Sequence, residues 1–116
     1  MRPMCLNQLL PANAAARLLA FRRDVALALP GAVDDVILFG SRARGDAQAD
    51  SDNDVAVLLS GGLADDRTIR SRVYDVAFDH HFDGTIIQAV PLNTEELKSV
   101  QTELAMRILA EGVAIR

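Results

Sequence analysis

The chain has 116 residues, half of them hydrophobic and only 4% aromatic, with a formal charge of −4. Such a length supports one domain with one core but leaves no room for a second substrate-binding domain, and the composition excludes wholesale disorder. The acidic balance, with Asp46, Asp50 and Asp52 close together, argues against direct nucleic-acid binding, which depends on clustered Lys and Arg. Cys5 is the single cysteine, so an intrachain disulfide is excluded and a reducing compartment is compatible. No apolar run approaches the roughly 20 residues of a membrane span, and no basic segment leads into an apolar signal region. The expectation is a cytoplasmic protein with no membrane partner.

In chain order, Met1 to Asn13 reads as irregular, with Pro11 just before or inside the first turn of a helix. Ala14 to Leu29 then predicts a helix, with Leu18, Val25 and Leu29 at helical spacing and Pro30-Gly31 as the stop. It would cover one face of a sheet, leaving Arg17, Arg22 and Arg23 on a solvated face. Val36 to Phe39 is a short run of β-favouring apolar residues, fitting a strand buried on both faces. A second apolar run, Asp54 to Leu59, follows a short loop and should pair antiparallel with the first.

Ser60-Gly61-Gly62 turns the chain, and Asp65 or Asp66 can cap a helix with Ile69, Val73, Val76, Ala77 and His80 on one stripe. Asp83-Gly84 would end that helix, and Thr85 to Val90 would form a third strand. A strand, crossover helix and strand in succession place the third strand parallel to the second. Asn93 and Glu96 resemble a capping box for a final helix with Leu97, Val100, Leu104 and Ile108 as its buried stripe, closed by Gly112.

The chemistry concentrates between the first two strands. Gly40 ends the first strand where a Cβ would block close approach of a phosphate, and Ser41 opens a helical turn whose N–H groups and hydroxyl can meet an anion. Gly40 and Gly45 have the spacing that begins a Walker A loop, but Asp46-Ala47 stands where that loop needs Lys followed by Ser or Thr. The turn must therefore draw positive charge from elsewhere. Asp52 and Asp54, two apart on an extended chain, point to the same face and suit Mg²⁺, which takes one or two carboxylates and completes its octahedron with waters and phosphates.

Gly40-Ser-Arg-Ala-Arg-Gly45, followed after five residues by Ser51-Asp-Asn-Asp54 and Val57, resembles the signature of the DNA polymerase β superfamily of nucleotidyltransferases. More narrowly it is similar to the minimal nucleotidyltransferases encoded beside a HEPN-domain partner as toxin-antitoxin pairs. The likeness covers the strand-turn-strand core, and more faintly Ile108-Leu-Ala-Glu-Gly-Val-Ala-Ile115. It implies an α/β nucleotidyltransferase fold with a mixed three-stranded sheet, in a single domain over 1–116. It further implies binding of ATP or another NTP with Mg²⁺, and transfer of a nucleoside monophosphate to a hydroxyl on a partner protein, with a HEPN toxin as the candidate. Gly40 and Ser41 would hold phosphates, and Asp52 and Asp54 the metal.

The resemblance also implies a third carboxylate from the third strand, and the matching position in this sequence is Gln88. An amide cannot act as a base. Asp83 would substitute only if the strand began elsewhere. Two alternatives therefore stay open: a non-catalytic antitoxin or interaction module acting by binding alone, and an enzyme acting on a small molecule such as an antibiotic. Arg42 and Arg44 read either as phosphate contacts or as salt-bridge partners of nearby acids. His80-His81 lacks the i, i+4 spacing of a shared metal site and reads as packed or surface residues, as does Tyr74. A homo-oligomer is compatible with the chain, and the acceptor surface is expected to come from a partner or another subunit.

Overall fold

The computed structural model describes residues 6–45, 52–81 and 86–116. Cys5, Asp46, Asp50 and the Asp83-Gly84-Thr85 stretch lie outside the described residues.

A four-stranded mixed sheet organises the chain in the order β3-β2-β1-β4. β1 (Val33–Phe39) pairs antiparallel with β2 (Asn53–Leu59), and β2 pairs in parallel with β3 (Ile87–Asn93), as the short loop and the crossover predict. The fourth strand was not foreseen: β4 (Val113–Ala114) pairs antiparallel with β1. At two residues it is too short to leave a period in the sequence. β1 also begins earlier than its apolar run, because Val33 and Asp35 pair with Leu59 and Leu58 across an irregular register. Similarly, β3 runs past Val90 because Pro91, Leu92 and Asn93 each have a partner on β2. In both strands tertiary pairing overrides local propensity.

Helices cover both faces. On one, α2 (Ala12–Ala28) and α4 (Arg67–Asp79) bury Leu18, Phe21, Val25, Val73 and Ala77 against Val36, Leu38, Val55 and Val57. On the other, α5 (Thr94–Ser99) and α6 (Glu103–Glu111) bury Leu97, Ala105 and Ile108 against Ile37, Phe39, Ala56 and Leu58. The alternation along β1 and β2 thus sorts every second residue into one core or the other. The stretch expected to be irregular contains α1 (Leu6–Leu9), whose Leu6 is buried with Leu10 in the first core. Pro11 does immediately precede α2. Arg23 is exposed beside Asp24, while Arg22 is partly buried.

The expected single final helix is two helices. Val100 adopts φ 51°, a left-handed conformation unfavourable for a β-branched residue, and its side chain is exposed rather than part of the buried stripe. Thr102 restarts the chain as α6 by accepting the Ala105 N–H at 3.0 Å. The capping box is also replaced. Asn93 Oδ1 accepts the Ala64 N–H at 2.8 Å, while its amide donates to Glu96 Oε1 at 2.8 Å. Asn93 therefore ties β3 to the short 3-10 turn Leu63–Asp65. Asp66 caps α4 as anticipated, accepting the Ile69 N–H at 3.1 Å.

His80 closes α4 and is buried, with Nε2 2.8 Å from Asp24 Oδ2 and its ring edge-on to Phe21. It joins α4 to α2 and lies on the helical face away from α6. The packed role expected for His80 holds. The Asp24 carboxyl is held below its usual range, first by its hydrogen bond from Arg23 and then by that to His80.

Candidate active site

The end of β1, the start of β2 and the start of β3 meet at one edge of the sheet. Phe39 opposes Asp54 across the antiparallel pair, and Asp54 opposes Gln88 across the parallel pair. Partners in register share a face, so Asp54 and Gln88 stand on the α6 side of the sheet, and Asp52 two residues back shares that face. Asn53 points the other way and is buried. Its backbone N–H donates to the Ile86 carbonyl at 2.9 Å, which fastens β2 to the strand that carries Gln88.

Gly40 follows Phe39 with φ 76° and ψ −158°, a region essentially reserved for glycine. A Cβ on Gly40 would collide with the Asp54 carboxyl. The glycine therefore brings bare backbone against a carboxylate, whereas the sequence reading reserved the missing Cβ for a phosphate. Ser41 opens α3 (Ser41–Arg44), one turn closed by Arg44 N–H to Gly40 C=O and Gly45 N–H to Ser41 C=O, both at 3.0 Å. Ala43 is fully buried beneath it, and Gly45 ends it with φ 82°. Arg42 and Ser41 are half-buried on this turn, while Arg44 is exposed.

Burial raises the Asp54 carboxyl above the ordinary aspartate range; the Arg107 charge acts against this, and the neighbouring Asp52 charge adds to it. Gln88 Nε2 donates to Asp52 Oδ2 at 3.2 Å. The hard oxygen donors here are thus the two carboxylates, with the Gln88 amide bonded to one of them. Among the described residues no cluster of three or more His, Cys, Asp or Glu could by itself cage a metal. The residues fit an ion that takes few protein ligands and fills its shell with water and phosphate, the habit of Mg²⁺.

Two residues of the site were not anticipated. Glu111, at the end of α6, accepts the Gly40 N–H at 3.0 Å through Oε2 and pairs with Arg44 Nη1 at 3.0 Å through Oε1. Arg107, one turn earlier on α6, lies 3.9 Å from Glu111 and places its guanidinium 5.6 Å from the Phe39 ring centroid. The i, i+4 spacing of Arg107 and Glu111 was readable as a surface ion pair. Nothing in the sequence said that α6 would end beside Gly40. Asp83 lies outside the described residues, and Gln88 occupies the register position opposite Asp54.

The glycine turn after β1 thus faces a pair of carboxylates at the start of the adjacent strand β2. The chain matches the family Polymerase beta, Nucleotidyltransferase over residues 27–115 and belongs to it. It is 49% identical over 39 residues to a candidate protein adenylyltransferase of Methanocaldococcus jannaschii, a match covering 34% of this chain and 39% of that relative. The fold is similar to that of a candidate nucleotidyltransferase from Sulfolobus solfataricus, with TM-score 0.62 and 22% identity over 88% of this chain and 78% of that one. It is also similar to a chain in a crystal structure of a toxin-antitoxin with AMP-PNP, with TM-score 0.58 and 21% identity over 84% of this chain and 72% of that one. No helix among the described residues is long and apolar enough to cross a membrane.

Proposed function

We propose that this chain is a single minimal domain that binds ATP with Mg²⁺ and transfers AMP to a hydroxyl on a partner protein. The observation that carries the reading is Gly40, held at positive φ with no room for a Cβ against Asp54, so that turn and carboxylates form one site. Gly40 and Ser41 hold the β and γ phosphates. Asp52 and Asp54 would hold the metal, which would supply positive charge against the phosphates during an in-line displacement. The acceptor oxygen bonds to the α phosphorus as the bond to the bridging oxygen breaks, pyrophosphate leaves, and the hydroxyl proton is lost. Gln88 donates to Asp52 and cannot take that proton. That proton passes instead to water, to a base of the partner or to a carboxylate of the site.

The acceptor surface is contributed by a partner. Support comes from the protein adenylyltransferase relative and from the toxin-antitoxin structure with AMP-PNP, and the family resemblance points to a HEPN-domain toxin. The test incubates radiolabelled ATP and Mg²⁺ with the protein and a co-purifying partner, using the parent, Gln88→Asp and Asp52→Ala/Asp54→Ala. Labelling of the partner by the parent, lost in the double alanine variant and increased in Gln88→Asp, is the expected result. Label transfer that survives the double change would refute the site.

A second reading rests on Gln88 itself, which places an amide where a third carboxylate would stand. In that reading the protein binds nucleotide and partner without turnover. ATP binding with no transfer by the parent or by Gln88→Asp would favour it.

A further inference from the structure

We infer that Glu111 is a positioning residue of the nucleotide site, acting through the Gly40 amide and the Arg44 guanidinium. The inference rests on the reading that the Gly40 turn receives the nucleotide's phosphates. Four observations support it.

The first is the sheet register. β4 pairs Val113 with Leu38 and Ala114 with Ile37. Continued by two rungs, this ladder sets Glu111 opposite Gly40, but the chain is already helical there. The Gly40 N–H therefore receives a side-chain oxygen in place of a backbone carbonyl, at 3.0 Å. An unfilled donor at the edge of β1 would otherwise let the turn choose its own angle.

The second is that the same carboxylate is bidentate across two elements. Its other oxygen takes Arg44 Nη1 at 3.0 Å, and Arg44 belongs to the helical turn that follows Gly40. One side chain thus fixes both ends of the turn, its first amide and its last cation. Such charge-assisted contacts are stronger and more directional than neutral ones.

The third is that Glu111 has little freedom of its own. It is mostly buried, with 18% of its side chain exposed. Gly112 follows it so closely packed that a Cβ would meet the Ile108 carbonyl and Ile37 Cγ2, which pins the end of α6 to the underside of β1. The carboxylate is delivered from a fixed point.

The fourth is charge. Arg44 belongs to the turn after Gly40 and Arg107 lies over the Phe39 ring, and Phe39 and Gly40 both border Asp54, so both cations lie near the carboxylates. Glu111 pairs with the first and lies 3.9 Å from the second. The turn has no lysine like that of a Walker A loop. Glu111 holds these two cations at the end of α6, beside the turn.

The alternative is that Glu111 only completes the sheet edge. A purely structural role would lower stability and would affect all ligands alike. A positioning role is selective for the phosphates beyond the first and depends on Arg44.

The experiment measures ATP and AMP affinity calorimetrically with Mg²⁺ for the parent, Glu111→Ala, Arg44→Ala, the double variant and Glu111→Gln, with folding checked by circular dichroism. Glu111→Ala should weaken ATP binding about tenfold and leave AMP binding within about twofold. In the Arg44→Ala background the same change should cost clearly less than in the parent, because one of its two routes is already cut. Glu111→Gln, which keeps an acceptor for Gly40 but presents an amide to Arg44, should fall between parent and alanine, and it carries the test if the alanine variant does not fold.

Parental ATP affinity in Glu111→Gln or in a folded Glu111→Ala overturns the inference. So does an equal loss for ATP and AMP, or fully multiplicative losses in the double variant. Absence of ATP binding by the parent overturns the nucleotide reading and this inference with it, whereas ATP binding indifferent to Glu111 overturns this inference alone.

Discussion

Gly40 lies between two groups of charged residues that come from different elements and are arranged differently. On the strand side, Asp52 and Asp54 stand together, and Asp52 accepts from the Gln88 amide. On the helix side, Glu111 has Arg44 at 3.0 Å and Arg107 at 3.9 Å. The helix side is electrostatically self-sufficient. The strand side carries desolvation and repulsion that Arg107 and Arg44 only partly offset and that an added cation would relieve further, a common mark of a ligand-binding group. The contrast separates what the fold needs from what a ligand needs.

The sharpest way to break the contrast is to remove the gap between the two groups. Gly40→Val places a branched side chain in a region essentially closed to it and drives Cβ into the Asp54 carboxyl. ATP binding by calorimetry should fall below detection. Urea unfolding should show a loss of at least about 1–3 kcal/mol from backbone strain. A folded variant with parental ATP affinity would place the phosphate site elsewhere.

Next in size is a change on the helix side that touches no charge. Gly112→Ala overpacks against Ile108 and Ile37 and should destabilise the protein by about 1–3 kcal/mol in urea. Its effect on ATP binding should be smaller than that of Gly40→Val, since it shifts the end of α6 without filling the turn.

Neutralising the strand side should act in the opposite direction. Because the Asp54 carboxyl is raised, the native state binds its proton more tightly than the unfolded chain does. This contribution to stability is fully present below the ordinary aspartate value of about 3.9 and is lost as pH rises through the higher folded value. Asp54→Asn should therefore raise the metal-free Tm by a few degrees at neutral pH while abolishing the strengthening of ATP binding by Mg²⁺. A Tm at or below the parental value would mean that the carboxylate is not under electrostatic stress.

Asp24, remote from the site, provides the control for sign. Its carboxyl is held low by Arg23 and His80, so its contribution is present above the unfolded value and lost as pH falls through the folded one. Asp24→Asn should flatten the acid side of the Tm profile, whereas Asp54→Asn should remove a component that declines as pH rises. The smallest effect is expected at the joint that leads into α6. Val100 sits at φ 51° with its side chain exposed, so Val100→Gly should stabilise the protein by about 1 kcal/mol and leave ATP binding unchanged.

The strand side was legible in the sequence because its information is local. Gly40 lies at the end of an apolar run, Asp52 and Asp54 stand at strand spacing, and the crossover rule carries Gln88 to the same edge. The helix side was not, because Glu111 lies 71 residues from Gly40 and its role depends on where α6 ends. That end is set by the left-handed Val100, which splits the final helix, and by a two-residue strand too short to leave a pattern. The need for a glycine at position 40 was read from its place at the end of the apolar run, but for a phosphate rather than for the Asp54 carboxyl. What it packs against needed the folded register.

The strand order leaves β3 on an outer edge of the sheet, where a row of backbone groups would ordinarily invite another chain to add a strand. Pro91 interrupts that row, since it has no N–H to offer, and Asn93 has its side chain committed to Ala64 and Glu96. Among the described residues of this edge, the first half of β3 is the part suited to ladder pairing, and that half carries Gln88 beside the carboxylates. A second molecule that docked there by extending the sheet would come to rest against the carboxylates, and the proline sets how far along the edge it could spread.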